Sequence, residues 1–445
     1  MKTVWTSGFE NEKNYTLGFS LKLPKKSDLQ LKIAVSNTCR VYVNDNFIWY
    51  GPQRAAHGFA AVQDLHLDKH LKDGDNYLTV EVACYNVKNF YSLKEQPFFS
   101  AQLISDGTVI AESDDFKAFL LNDRLSKVQR YSYQRTFVEV YNKYSRPSLY
   151  NGVSVYPQVD IVEVPSKTFF EGASPKCDFD KFLNGEIIET GDVAYRKDEN
   201  PLRKQTLQKW GNSENNYLRE ECDVNLSDEL LAFEYSSDSQ VSSDGCINEN
   251  RYALMSFGRN SSGFPSFEIE VIEPSEIYFI FDEILWDEVY NLPDFKDVLK
   301  PENAKPLIFC RFMDVCNAMK WTLEPGTYNL MSFEPYTLQY GKIIVSKGKI
   351  NLKRSAVRLF ETASVKNMKF NSDDEDKNKI FEAAGDTLAQ NSVDVLMDCP
   401  SRERAGWLCD SYFTSKAEQY ITGENKVERA FLENYVLCKK DDILC

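Results

Sequence analysis

Apolar and polar positions alternate with a period of two through the first part of the chain. Tyr15 to Leu23, Leu29 to Val35 and Thr79 to Tyr85 each place one face toward a core and one toward water. Turn-forming clusters separate them: Pro24-Lys25-Lys26-Ser27-Asp28, Asn44-Asp45-Asn46 and Lys72-Asp73-Gly74-Asp75-Asn76. Short strands at this spacing predict a β-sandwich over residues 1–165. Arg40 to Ile48 reads as a hairpin around an Asn/Asp turn. Residues 166–250 turn polar, and the stretches 192–208 and 236–250 hold few large apolar residues, which predicts a connector or variable β region rich in loops. Alternation returns at Phe267 to Val271, Glu276 to Phe281 and Lys342 to Val345, so a second β-sandwich is expected over 251–368. The adjacent acids Asp282 and Glu283 point to opposite faces of such a strand and read as rim residues.

Near residue 370 the period becomes helical. Asn371-Ser372 can cap a helix whose first turn, Asp373-Asp374-Glu375, suits the positive end of the helix dipole. Ile380, Phe381, Ala384 and Leu388 form its expected apolar stripe. A second helix over 411–422, carrying Tyr412, Phe413, Ala417, Tyr420 and Ile421, is expected to close at Gly423. A third, over 424–438, carries Val427, Ala430, Phe431 and Tyr435. The chain therefore runs from β to α.

Composition narrows the function classes. A chain of 445 residues suggests about three domains at roughly 150 residues each. Its 29 Phe and 24 Tyr suit β-sandwich cores and carbohydrate-binding surfaces. A net charge of −15 argues against nucleic acid and anionic membranes as partners, and is compatible with a neutral glycoside. The eleven cysteines form no CxxC pair, and the only histidines are His57, His66 and His70, so neither a structural zinc site nor any cofactor is expected. Free thiols, and a start at Met1 to Thr6 without an apolar leader core, point to the cytoplasm.

The densest chemistry lies at Asp398-Cys399-Pro400-Ser401-Arg402-Glu403-Arg404-Ala405-Gly406-Trp407-Leu408-Cys409-Asp410. Pro400 disfavours a helix through Cys399 but suits the first turn of a new one. A helix starting there would set Glu403, Trp407 and Asp410 on one face. An acid, a flat apolar plate and a second acid fit a sugar ring: the plate stacks on C–H bonds while the acids take hydroxyls or protonate the glycosidic oxygen. Gly406 would let a ligand approach the backbone. The same residues also fit a solvated helix start with an Arg–Glu ladder and a semi-buried tryptophan.

The pattern Asp-Cys-Pro-x-Arg-Glu-Arg-x-Gly-Trp-x-x-Asp resembles the catalytic signature of the bacterial α-L-rhamnosidases, glycoside hydrolase family 78. The resemblance implies two or more jelly-roll-like β-sandwich domains followed by the opening helices of an (α/α)6 catalytic barrel, here 369–445. The stretch Val41 to Gly51-Pro52 resembles the family's N-terminal module, in which only Gly51-Pro52-Gln53-Arg54 suggests a ligand site. Glu334 to Tyr340 resembles the segment that enters the last strands before the barrel. The resemblance also implies inverting hydrolysis of terminal α-L-rhamnosides, with Glu403 as general acid and Asp398, Arg402, Trp407 and Asp410 holding the sugar. Crowding by Asp398 and Asp410 would raise the acid's pKa, and Arg402 and Arg404 would lower it. The family's base is a late glutamate that no residue here matches, so a barrel cut short, inactive alone, is expected. A related (α/α)6 glycosidase of other sugar specificity, and a non-catalytic carbohydrate-binding or scaffold protein with a decayed barrel, stand as alternatives. Aglycone, linkage and oligomeric state are not encoded legibly.

Overall fold

Strands predominate among the described residues up to 359, with one short α-helix at Leu226–Leu231. The computed structural model describes residues 1–144, 155–173, 177–195, 215–241, 245–285, 310–311, 315–363, 365 and 370–438. Within them, two antiparallel-dominated sheets enclose the first core. One joins Val4–Thr6, Leu29–Val35, Phe59–His66 and Phe99–Ser105; the other joins Tyr15–Leu23, Thr38–Val43, Asn46–Gly51 and Asn76–Cys84. Phe19 of one sheet stacks on Phe99 of the other at 4.1 Å between ring centroids, at the centre of a core that includes Trp5, Leu31, Val41 and Val80. The expected hairpin is present, and both turn residues, Asn44 and Asp45, take positive φ as a tight right-twisting turn demands.

Of the stretch expected to be a connector or variable β region, 174–176, 196–214 and 242–244 lie outside the described residues, and the rest contributes several strands. Thr168–Glu171 adds to the first unit in parallel with Phe59–His66. Phe182–Asn184, Glu186–Tyr195, Phe233–Ser237 and Cys246–Asn248 join a further, nine-stranded sheet. Their outward residues are polar, which hid the alternation. Glu139–Tyr144 also leaves the first unit and pairs in parallel with Ala318–Leu323. Two long strands organise this sheet: Arg251–Asp282 and Tyr336–Leu359. Tyr340 to Val345 pairs with Arg251 to Ser256 on one side and with Ile277 to Asp282 on the other, so the ladder rolls around its core. Gly263 permits the bend, since a Cβ there would lie 2.1 Å from the Arg358 carbonyl oxygen. Asp282 is not a rim residue: it is 2% exposed and accepts the Glu283 N–H.

Three helices follow: Glu375–Asn391, Leu408–Thr422 and Lys426–Leu437. Asp374, not Asn371 or Ser372, is the N-cap, accepting from Asp376 and Lys377 N–H. The first helix buries Gly385, Leu388 and Ala389, while Ile380 is 69% exposed. The second buries Ser411, Ser415 and Glu418 and turns Tyr412, Phe413 and Tyr420 outward. Apolar spacing found the packed face of the third helix, which buries Val427, Ala430 and Phe431, and Leu388 of the first, but missed that of the second, where Ser411, Ser415 and Glu418 are the buried residues. Gly423 ends the second helix in the left-handed region as expected. Glu418 then accepts the Val427 and Glu428 N–H groups and so caps the third helix from the second. No helix of the described residues is long and apolar enough to cross a membrane.

Candidate active site

The signature is a closed loop, not a helix start. The Asp398 N–H donates to the Ala405 carbonyl at 2.9 Å and the Arg404 N–H to the Cys399 carbonyl at 3.1 Å. Asp398 Oδ1 accepts the Ala405 N–H at 3.0 Å, and the Cys399 thiol faces Asp398 Oδ2 at 3.4 Å. Arg404 turns the chain with φ 56°. The helix begins only at Leu408, with Trp407 as its extended N-cap residue. A one-face arrangement of Glu403, Trp407 and Asp410 on a helix therefore does not exist. Glu403 and Trp407 meet by another route: the indole Nε1–H donates to Glu403 Oε2 at 3.0 Å. Arg402 donates to Glu403 Oε1 at 3.0 Å. Asp410 lies exposed in the first turn of the helix, with no hydrogen bond or ion pair to these groups among the described residues.

Trp407 is 46% exposed. Phe90, from the loop after Asn76–Cys84, packs edge-on against it at 6.0 Å, and Tyr133 packs edge-on against Phe90 at 6.0 Å. Both are large exposed aromatics, so Trp407 is part of an apolar surface beside a carboxylate. Gly406 is required by packing against the third helix. A Cβ there would meet the Phe431 ring at 2.4 Å, and Tyr435 Oη donates to its carbonyl at 2.7 Å, so the third helix props the loop from behind.

The two loop carboxyls are pushed in opposite directions. Burial pushes Glu403 up, but the Trp407 N–H, the Arg402 guanidinium and the Gln134 amide together hold it below the ordinary glutamate value. Burial lifts Asp398 above the ordinary aspartate value, aided by the Glu403 charge and opposed by the Cys399 and Ala405 donors.

Several residues that hold this loop escaped the sequence reading. Arg54 donates to Asp394 through Nε at 2.8 Å and its backbone N–H at 3.0 Å, and its guanidinium also donates to the Arg404 carbonyl. The Gly51-to-Arg54 stretch thus grips the loop. Arg404 reaches Glu334 Oε2 at 3.3 Å. Glu334 is fully buried and also accepts from Thr38 (3.3 Å), Tyr50 (3.0 Å), Tyr91 (3.3 Å) and Tyr85, with Arg135 at 3.9 Å. Burial and the Glu334 charge push the Tyr91 phenol to about 12. Arg135 in turn donates to the Ser401 carbonyl at 3.0 Å. The available signals were slight: a glutamate before a proline, and Gln134-Arg135 inside an aromatic run. Behind the loop, between the first β unit and the third helix, lies a cavity of about 660 Å³ lined by Tyr50, Arg54, Phe90, Arg404, Gly406 and Phe431 among others.

The fold is similar to that of known rhamnosidases. The chain is similar to the GH78 family rhamnosidase of Bacillus sp. GL1, at 14% identity and a TM-score of 0.69 over 96% of this chain and 62% of that one. It is similar to the α-L-rhamnosidase from Dictyoglumus thermophilum (14%, 0.63, 99% of this chain, 44% of that one) and to the native enzyme from Aspergillus terreus (12%, 0.63, 98% and 44%). The chain thus spans less than two thirds of each of these proteins. Residues 366–442 match the family described as the bacterial alpha-L-rhamnosidase 6 hairpin glycosidase domain, and that span contains the whole signature. A search of curated proteins gave no match. Family similarity is thus carried by residues 366–442, and the solved structures share the fold of the chain.

Proposed function

We propose that this chain carries the acid side of an inverting glycosidase site for terminal α-L-rhamnosides, with Glu403 as general acid. One observation carries the reading: Glu403, partly buried, is hydrogen-bonded to the exposed Trp407 inside the matched segment, while both Asp398 oxygens are used by the loop itself. The three helices then open an (α/α)6 barrel, and the jelly-roll-like β units support it. Rhamnose as the sugar follows the relatives, of which the Streptomyces avermitilis α-L-rhamnosidase was solved complexed with L-rhamnose (13% identity, TM-score 0.58).

In this mechanism Glu403 protonates the leaving oxygen, and a second carboxylate, roughly 6.5–9.5 Å away, activates water on the opposite face. A sugar on Trp407 would bury the carboxyl further and displace Arg402, whose side chain is 44% exposed. Both changes raise the proton affinity toward what an acid needs. Asp398, Arg402 and Asp410 would position sugar hydroxyls around it. The base is assigned to no residue of this chain, so the chain alone is expected to release no phenolate from an aryl α-L-rhamnoside. In a protein carrying this chain with a complete barrel, Glu403→Gln should cost about 10²–10⁴ in turnover of an unactivated glycoside, and less on an activated phenolate leaving group. Asp398→Asn should slow both substrates alike. The reverse pattern in kcat/KM would make Asp398 the acid.

A further inference from the structure

Gln134 is 1% exposed, and it reaches the Glu403 carboxylate. Its Nε2 donates to Glu403 Oε1 at 2.6 Å, shorter than the Arg402 or Trp407 contact. Its Oε1 is buried and without a partner. Burying an amide half-paired is costly. The surrounding turn is clamped. The Tyr131 N–H donates to the Thr136 carbonyl at 2.8 Å, Ser132 Oγ accepts the Arg135 N–H at 3.1 Å, and Arg130 Nε donates to the Arg135 and Thr136 carbonyls at 2.9 and 3.1 Å. The amide is therefore presented from a fixed point. The same residue's carbonyl accepts the Phe90 N–H at 2.9 Å, which sets the ring that packs on Trp407.

We propose that Gln134 is the positioning residue of this site: its side-chain amide fixes the orientation of the Glu403 carboxylate, and its carbonyl fixes the Phe90 wall beside Trp407. It acts through Glu403 and Phe90. The proposal rests on the glycosidase reading only for what the carboxylate is used for; the positioning itself stands on geometry. The groups facing Glu403 are Gln134, Trp407 and Arg402 by hydrogen bond, Asp398 by charge, and Cys399 Sγ, which accepts the Glu403 N–H at 3.3 Å.

The test is a pH titration of the full 445-residue chain by NMR, with the Glu403 carboxyl carbon assigned by comparison with Glu403→Gln. In the wild-type protein the Gln134 side-chain amide signals should shift with the same midpoint as the Glu403 carboxyl. In Gln134→Met, similar in volume but without a donor, that midpoint should rise by about one pH unit, tenfold in proton affinity. Amide signals blind to the Glu403 titration, or an unmoved midpoint in a folded Gln134→Met protein, would overturn the proposal. The wild-type titration decides even where the variant does not fold. Neither readout uses turnover, so failure here is separable from failure of the acid assignment, which the leaving-group comparison reports.

Discussion

Two glutamates bracket the function of this chain. Glu334, between the β units and the loop, accepts from side chains of four separate stretches: Thr38 and Tyr50, Tyr85 and Tyr91, Arg404, and Arg135 beside it. Glu403, seventy residues on, accepts from Gln134, Arg402 and Trp407. Both carboxylates are well supplied with donors. They differ in which donors can leave. Every partner of Glu334 is buried, so none can be exchanged for a ligand without opening the junction. Arg402 and Trp407 stand at the water edge, so a ligand can replace or cover them. The same residue type thus becomes a structural anchor or a chemical group according to the mobility of its donors.

The largest expected effect tests the anchor. Glu334→Ala leaves Arg135 and Arg404 buried without their carboxylate and should cost about 3–5 kcal/mol of stability. A thermal melt within a degree or two of wild type would show that the junction is not held there. Asp394→Ala removes the partner of Arg54 and should cost about 1.5–3 kcal/mol, seen as faster proteolysis near residues 394–406. Unchanged proteolysis would show that the loop is not held through Arg54.

pH sharpens the comparison inside the loop. The folded-state pKa of Glu403 is depressed, so its contribution to stability is present above the ordinary glutamate value of 4.5 and is lost as pH falls through the depressed one. Asp398 is shifted up, so it favours the folded state at low pH and weakens it as pH rises from 3.8 through its raised value. Denaturant midpoints between pH 3 and 6 should therefore show wild type losing its advantage over Glu403→Gln on acidification. Relative to Asp398→Asn, wild type should gain. Equal slopes for the two variants would contradict the opposite shifts. The smallest effect belongs to Arg402→Ala: an exposed pair should cost under about 1 kcal/mol, and a larger loss would make Arg402 part of the anchor.

The sequence by itself determined the order of β and α regions, the Asn44-Asp45 hairpin turn, the Gly423 helix end, and the loop in which acid, guanidinium and indole meet. These are local properties, set by side-chain period, backbone preference and a short polar motif. It also put Glu403 and Trp407 together, although for a reason the structure replaces: a side-chain hydrogen bond across a closed loop, not helical spacing. The apolar stripe of the third helix, Val427, Ala430 and Phe431, was legible as well; only the tertiary structure decided which face of the second packs, because Ser411 and Ser415 lie on it and carry almost no periodic signal. It alone brought Gln134, 269 residues away, onto Glu403, and Arg54 onto Asp394. Such pairings depend on how separate units dock. A buried amide or guanidinium looks like any surface polar residue until its surroundings are folded around it.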